Sequence, residues 1–359
     1  MVSDRKVVEM EKITVNGSTS YNIVVEHDIL GRVGELMRDK FAGEKALIVT
    51  DSNVAPLYLN TVDASCKDAD YETYSLVITP GDASKSIDVY VNILQFLADH
   101  QFATTDIIIG LGGGMITDLV GFAASTYKRS MKCVLMPTTL LAMVDAAVGG
   151  KTAINLSNGK NLVGTIHNPS IVLCDPNTIA TLAEENLQEG YAEIIKYGIL
   201  TGYDVIDMLK EAARKNDYYD VICISIAIKR DVVEIDESDS TVRQFLNFGH
   251  LVGHAIEAAN NYSISHGKAV ADGLVIEARA AAMSGFITMM PYLEIVSILK
   301  EFNFSTTHSY DIDELEPYLA EDKRIQGGEI NIILPVAIGN CVMQSMDSSE
   351  LVDYVRRGL

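Results

Sequence analysis

Ile107-Ile-Ile-Gly-Leu-Gly-Gly-Gly-Met-Ile-Thr-Asp118 is the stretch that sets the class of this fold. An uncharged β-branched run leads into glycines at 110, 112, 113 and 114 and then into a helical pattern expected over 116–126. A continuous apolar run bounded by turn residues suits a strand covered on both faces, as in a parallel sheet. Working outward, segments 45–50, 74–79, 132–137 and 171–175 read as further buried strands, while 29–41 and 86–100 carry helical periodicity. This alternation predicts a Rossmann-like α/β domain with a mostly parallel sheet. Ahead of it, runs 6–15 and 18–26 flank Asn16-Gly17, a dipeptide that favours a type I′ hairpin. Beyond residue 177 the texture changes to helical patterns over 184–200, 203–215, 219–237, 243–260, 268–284 and 292–302, closed by strand-like runs at 329–335 and 341–346. The expectation is an α/β nucleotide-binding domain over 1–177 and a mainly α-helical domain over 178–359, with the active site in the cleft between them.

Composition excludes several classes. Apolar residues make up 48% and charged residues 21% of the 359, ordinary for a globular chain and wrong for a disordered one. Cys66, Cys133, Cys174, Cys223 and Cys341 are scattered with no C-x-x-C pair, which argues against a disulfide framework or a thiolate zinc site. No uncharged apolar run reaches membrane-spanning length, and charges run through the first residues, so a soluble cytoplasmic protein is expected. The net charge of −21 would repel nucleic acid and anionic membrane, so neither is an expected partner. Any anionic substrate must instead be captured by a local group of Lys and Arg.

The glycine turn can bring backbone amides and a helix N-terminus close to a pyrophosphate, through close approach and positive φ, although its spacing is not G-x-G-x-x-G. Asp51 and Asn53 follow the strand at 45–50, where an acid can take ribose hydroxyls or cap a helix. Gly81-Asp82-Ala-Ser-Lys85 forms a third polar turn on the same expected sheet edge. Farther on, His250 and His254 stand i, i+4 on one helical face and His266 follows. That set suits metal or acid–base work, and zinc in particular, without being an H-E-x-x-H motif, since Leu251 follows His250. Glu193 is the best carboxylate to join it. With Lys196 at i+3 it forms either a surface ion pair worth ~0.3 kcal/mol or a half-buried functional pair. Lys151, Lys160, Lys196, Lys229 and Arg243 lie beside glycine, asparagine or apolar runs, and Arg129 follows the glycine-turn helix. Such cations can bind phosphate and carboxylate together.

The ordered motifs 112–118 (GGGMITD), 137–145 (PTTLLAMVD), 149–155 (GGKTAIN), 159–161 (GKN), 193–198 (EIIKYG), 243–250 (RQFLNFGH) and 266–267 (HG) resemble the 3-dehydroquinate synthase family of sugar-phosphate cyclases across nearly the whole chain. The resemblance implies an NAD- and metal-dependent conversion of 3-deoxy-D-arabino-heptulosonate 7-phosphate to 3-dehydroquinate with loss of phosphate. It implies Glu193, His250 and His266 as ligands of zinc or cobalt, with His254 either supporting the ligands from behind or relaying a proton, rather than ligating. It implies NAD contacts from Asp51, Asn53, Asp82, Lys85, Gly113, Gly114, Met115, Asp118, Thr138, Thr139, Lys151, Lys160, Asn161, Thr178 and Thr181. Substrate contacts would come from Arg129, Asp145, Lys151, Asn161, Lys196, Lys229, Arg243, Leu246, Asn247 and Lys323, and the assembly would be a homodimer. Departures are Asp82 and Asp239 where the family commonly has Glu, Ser240-Thr241 at a usual glycine, Arg324 in place of a second lysine, and Lys268 in place of a Glu after His266-Gly267. Rival readings are a cyclase acting on another sugar phosphate, of the deoxy-inosose or epi-valiolone type, a metal-dependent polyol dehydrogenase of the glycerol dehydrogenase type, and a non-catalytic nucleotide-binding protein.

Overall fold

The computed structural model describes residues 10–156, 159–307, 309–320, 322 and 324–359. The described chain divides into two compact units, one running up to Leu182 and including Asp217–Glu237, the other made of Ala183–Asn216 and Ser238–Leu359.

The first unit is built on a sheet of strands β1 (Glu11–Val15), β2 (Tyr21–Val25), β3 (Lys45–Asp51), β4 (Glu72–Ile78), β5 (Ile107–Gly112), β6 (Lys132–Pro137) and, after the separate antiparallel pair β7 (Lys151–Leu156) and β8 (Gly159–Ile166), β9 (Ile171–Cys174). The spatial order is β1-β2-β9-β6-β5-β3-β4, parallel throughout except for the antiparallel pair β1–β2. Every residue of β5 is buried, as its unbroken apolar run requires. Helices α1 (Val33–Arg38), α2 (Asn60–Asp68), α3 (Ile87–Asp99) and α4 (Gly114–Thr126) connect these strands. One core packs Val33, Met37, Val62 and Cys66 against Ile48, Ile109 and Val134. β3 lies between β4 and β5, so the chain reverses direction across the sheet there, and the carboxyl ends of β3 and β5 are neighbours with Thr50 opposite Leu111. In open parallel sheets that switch point is where ligands bind.

Two expectations change in this unit. The hairpin at Asn16-Gly17 forms, but with Val15 opposite Tyr21 its loop holds five residues (16–20) rather than a two-residue turn. Its amides are taken up elsewhere: Asn16 N–H donates to Glu234 Oε1 (2.7 Å) and Ser18 N–H to Glu237 Oε2 (2.8 Å), at the end of helix α7 (Tyr219–Ile235) and just beyond. The glycine turn uses its glycines for space alone, since Gly110, Gly112, Gly113 and Gly114 are not among the positive-φ residues. A Cβ on Gly112 would stand 2.6 Å from the Ile116 side chain and one on Gly113 3.0 Å from Thr139.

The second unit is helical, with α5 (Glu184–Thr201), α6 (Tyr203–Lys215), α8 (His250–Ala259), α9 (His266–Met283), α10 (Met289–Glu301), α11 (Ile312–Ala320) and α12 (Leu351–Gly358) beside a two-stranded ribbon of β10 (Glu329–Ala337) and β11 (Asn340–Asp347). Its core packs Leu251, Ala255, Ala269, Ile276, Leu315, Ile332 and Tyr354. The single helix expected over 243–260 is broken. A 3-10 stretch (Val242–Asn247) ends at Phe248, and Gly249 turns the chain at φ 79° before α8 begins. Sequence periodicity runs through the break because buried apolar residues continue on both sides of it, Leu246 and Phe248 before and Leu251, Val252, Ala255 and Ile256 after. Helices α8 and α9 meet backbone to backbone: a Cβ on Gly273 would lie 1.9 Å from the Gly249 carbonyl oxygen and 2.9 Å from the Gly253 nitrogen. Among the described residues no helix is long and apolar enough to cross a membrane.

Gly273→Ala is therefore expected to force α8 from α9, destabilising the protein by at least ~2 kcal/mol, in the upper range for overpacking a tight interior. Denaturant unfolding measures this, and a loss below about 0.5 kcal/mol, the size of an ordinary surface substitution, would contradict the contact.

Candidate active site

In the first unit the expected cofactor residues gather at the carboxyl edge of the sheet. Helix α4 opens at Gly114 with an extended Gly113 before it and no side chain capping it, so its first amides are available to an anion. Thr138 N–H donates to the Gly112 carbonyl (3.0 Å), and Thr139 packs over Gly113. Met115 lies in the first turn of α4. Below it a charged network forms. Lys85 Nζ donates to Asp118 Oδ2 and Asn161 Oδ1, while Lys160 pairs with Asp82 Oδ2 at 3.0 Å. Asn155 ties the turn to the β7–β8 hairpin, its Nδ2 donating to Asp82 (3.2 Å) and its Oδ1 accepting from Asn161 N–H (2.9 Å). Burial raises the Asp118 carboxyl, against the pull of Lys85 and then Lys229.

Asp51 behaves as a cap: its Oδ1 accepts from Asn53 N–H (2.8 Å) and Val54 N–H (3.1 Å). This leaves its second oxygen at the switch point. Thr178 and Thr181 sit in the 3-10 turn after β9, where Thr178 Oγ1 donates to the Asp175 carbonyl and Tyr58 bonds Thr181 Oγ1 at 2.7 Å. Lys229 on α7 donates from Nζ to the Asp145 carbonyl (2.6 Å) and to Asp145 Oδ1 (2.7 Å).

In the second unit the structure brings Glu193, His250 and His266 together. Glu193 is fully buried on α5, and its Oε2 takes the Lys196 ammonium. Its Oε1 lies 3.3 Å from His250 Nε2 and 3.6 Å from His266 Nε2, yet has no hydrogen bond of acceptable geometry. The ligand atoms of the three residues all lie within 4.8 Å of one another. Local structure explains the convergence. His250 is the first residue of α8 and His266 the first of α9, so both project from helix starts. Gly267 lets α9 abut α5 one turn before Glu193, since a Cβ there would stand 2.4 Å from Glu189 Cα.

The outer nitrogens of the two imidazoles are already engaged. His250 Nδ1 is 3.2 Å from the Phe248 carbonyl, an acceptor only, so Nδ1 donates. His266 Nδ1 is 3.4 Å from Glu257 Oε2, a carboxylate on the next helical turn of α8 after His254. In the neutral rings, both Nε2 atoms then present lone pairs to a carboxylate oxygen. Three acceptors facing one another call for a positive charge among them, and this donor set, two imidazoles and one carboxylate, fits a divalent cation. The charge balance responds to the same crowding. Burial works to raise the Glu193 carboxyl, but Lys196 and then His250 hold it well below the usual carboxylate range. Burial also works to lower His266, and Glu193 and Glu257 overturn this and lift it to about 10.

Other expected residues are placed differently. His254 stays outside the trio around Glu193 and groups with Glu257 and His266. Lys196, Lys229 and Arg243 are 1%, 6% and 2% exposed, so these are interior cations rather than a solvated basic face. Leu246 is buried beside Arg243 in the 3-10 stretch and Asn247 half-buried at its end. Lys151 opens β7 and is exposed. Arg129 is exposed at φ 70°, in a left-handed turn with Lys128 and Ser130, and is not drawn into either cluster. Lys268 is exposed on α9 two residues past His266, so its charge reversal lies on a solvated position. Lys323 lies outside the described residues, while Arg324 is held by Asp322.

Sequence reasoning missed two buried acids. Glu257 continues the face of His250 and His254 at i+7 and i+3, a spacing that could have revealed it. Glu277, 4% exposed, interrupts the apolar run 274–283 of α9, which was its signal.

The family model described as 3-dehydroquinate synthase N-terminal matches residues 75–189, and its C-terminal counterpart matches 190–325. A 3-dehydroquinate synthase of Streptococcus suis is 36% identical over 355 residues, covering 96% of this chain and 99% of that protein. One from Enterococcus faecalis is 36% identical over 353 residues with the same coverage. Among solved structures, a 2-epi-5-epi-valiolone synthase from Streptomyces hygroscopicus with NAD+ and Zn2+ bound aligns at a TM-score of 0.84 and 25% identity, covering 96% of this chain and 98% of that one. The matched regions contain the glycine turn and the Glu193, His250 and His266 cluster, and by family model and full-length likeness alike this chain belongs to the 3-dehydroquinate synthase family.

Proposed function

We propose that the chain converts 3-deoxy-D-arabino-heptulosonate 7-phosphate to 3-dehydroquinate and phosphate, with NAD and a divalent cation, zinc or cobalt, as cofactors. The observation that carries this reading is the convergence of Glu193 Oε1 with two imidazole Nε2 atoms, in a chain 36% identical to 3-dehydroquinate synthases over almost its whole length. When bound, NAD accepts and returns the hydride of one carbinol carbon, and the cation polarises the oxygen on that carbon. The net conversion is redox-neutral, so NAD is regenerated within each turnover.

The chain's own residues then have distinct tasks. Glu193, His250 and His266 hold the cation, and Lys196 neutralises the second carboxylate oxygen. Asp51, Asn53, the amides at Gly113 and Gly114, Thr138, Thr139 and the Lys85–Asp118–Asn161 network hold the dinucleotide. Lys151, Lys229, Arg243 and Asn247, with Arg129 and Asn161, bind the carboxylate, hydroxyls and phosphate of the substrate. Asp145 holds the Lys229 ammonium in place. His254, on the face of α8 beyond His250, moves a proton rather than ligating. Assignment of the cofactor to 1–177, and of the metal and part of the substrate contacts to 178–359, belongs to the same reading, as do a cytoplasmic location and a homodimer, both on family grounds.

Incubating the protein with the heptulosonate phosphate, zinc and trace NAD should release phosphate without lasting absorbance in the NADH band. A chelator should abolish release, and added zinc or cobalt should restore it. Lasting NADH build-up would instead indicate a polyol dehydrogenase, and absence of phosphate would defeat the proposal. The ligand set has its own test. His266→Ala should weaken cation binding by more than the ~10–100-fold that loss of an outer partner costs. Full metal occupancy of that variant at stoichiometric zinc, by elemental analysis, would show the ligand assignment to be wrong.

A further inference from the structure

Glu277 lies inside α9 and is not one of the trio around Glu193, and the proposed reaction gives it no task. It is 4% exposed, and its carboxylate spans the start of the neighbouring helix: Oε2 accepts from Gly249 N–H at 3.0 Å and Oε1 from Val252 N–H at 3.1 Å. Those are amides at the first turn of α8, the helix whose first residue is His250. The first amides of any helix lack intrahelical partners, and a side chain at the residue before it normally supplies one. Here that residue is Gly249, which has no side chain to offer.

Gly249 cannot be exchanged for a capping residue. Its φ of 79° disfavours a side chain, and a Cβ would stand 2.8 Å from Leu274 and 3.0 Å from the Val270 carbonyl of α9. The cap must therefore come from across the helix pair. A carboxylate there also matches the positive end of the helix dipole. Both oxygens of Glu277 are used, one on each side of His250, so the carboxylate fixes the rotation and depth of the turn that bears this imidazole. The backbone contact of Gly273 with Gly249 sets how close α8 stands, and Glu277 sets its phase.

We propose that Glu277 is a positioning residue for the metal centre, an anionic cap delivered by α9 that holds His250 in register with Glu193 and His266. The proposal rests on the cation reading given above. Glu277→Gln keeps the size but turns an NH2 donor toward one of the two N–H groups, so the cap is half lost. Glu277→Asp keeps the charge but shortens its reach by one methylene.

The test titrates Co2+ into the metal-free native protein and both variants, following the d–d absorption bands, with thermal unfolding recorded without and with the metal and NAD binding measured in parallel. The native chain should bind one Co2+. Glu277→Gln should bind it ~10–100-fold more weakly, the range found for outer-shell partners of metal ligands, with altered band positions. Its metal-induced rise in Tm should shrink accordingly. Glu277→Asp should recover part of the affinity, and NAD binding should be unchanged in both. Should Glu277→Gln fail to fold, Glu277→Asp carries the test, with a loss of affinity of at least threefold expected. The inference is overturned if the variants lower Tm equally with and without metal while Co2+ affinity and bands stay native. Failure of the native protein itself to bind Co2+ would overturn the cation reading instead.

Discussion

Three acceptor atoms, Glu193 Oε1 and the Nε2 atoms of His250 and His266, converge in the second unit around a fully buried carboxylate, and the helices around them are arranged to hold them there. Leaving one buried acceptor unsatisfied costs about 1–3 kcal/mol, and more when the group is charged. The fold meets that cost around the trio rather than relaxing it. Lys196 takes the other oxygen of Glu193, the Phe248 carbonyl and Glu257 engage the outer nitrogens, and Gly267 and Gly273 remove the side chains that would keep the helices apart. Such a cluster is stable when a cation sits among the acceptors, or when protons do, and the raised pKa of His266 shows the pull on a proton. Metal binding in such sites is coupled to both folding and protonation.

The first unit meets a different constraint, that of ordering buried cations in a protein whose net charge is −21. It buries its cations in pairs. Lys85 lies against Asp118 and Lys229 against Asp145, so each positive charge is oriented before any ligand arrives. An ammonium held this way can swing one hydrogen bond to a phosphate or carboxylate without first being ordered from solvent, which limits the entropic cost of binding. At the glycine turn the first amides of α4 have no side-chain cap, and backbone donors of that kind carry no side-chain entropy.

Much of this was legible in the sequence. Strands β3, β5, β6 and β9 declared themselves as unbroken apolar runs, because a parallel sheet covered on both faces leaves no alternation to misread, whereas the β7–β8 pair, with β8 largely exposed, gave no such run. Helices such as α6, Tyr203–Lys215, were legible from periodicity alone. The glycine turn was readable as a turn but not in its reason: steric room, rather than left-handed backbone, is what its glycines provide. The break at Gly249 was hidden because apolar periodicity continues through it, and Asn16-Gly17 misled because bonds to Glu234 and Glu237 on distant chain outweigh the local turn preference. At the candidate site, Glu193, His250 and His266 could be named from the ordered motifs, yet spacing alone favoured His250 with His254. Only the fold shows that a residue at the start of each helix, and not two on one face, meets the carboxylate. Glu257 and Glu277 left signals in spacing and in an interrupted apolar run, but their partners, an imidazole and two amides, are brought adjacent only by packing.

The most direct test of the central claim is to find where the cation sits. A crystal of the protein grown with zinc, with diffraction recorded on both sides of the zinc absorption edge, locates the metal by its anomalous signal alone. The account predicts a single strong peak about 2.0–2.2 Å from Glu193 Oε1 and from Nε2 of His250 and His266, the normal range for zinc with oxygen and nitrogen ligands. A peak on His254 in place of His250, or a fully occupied zinc elsewhere with the trio bare, would contradict it.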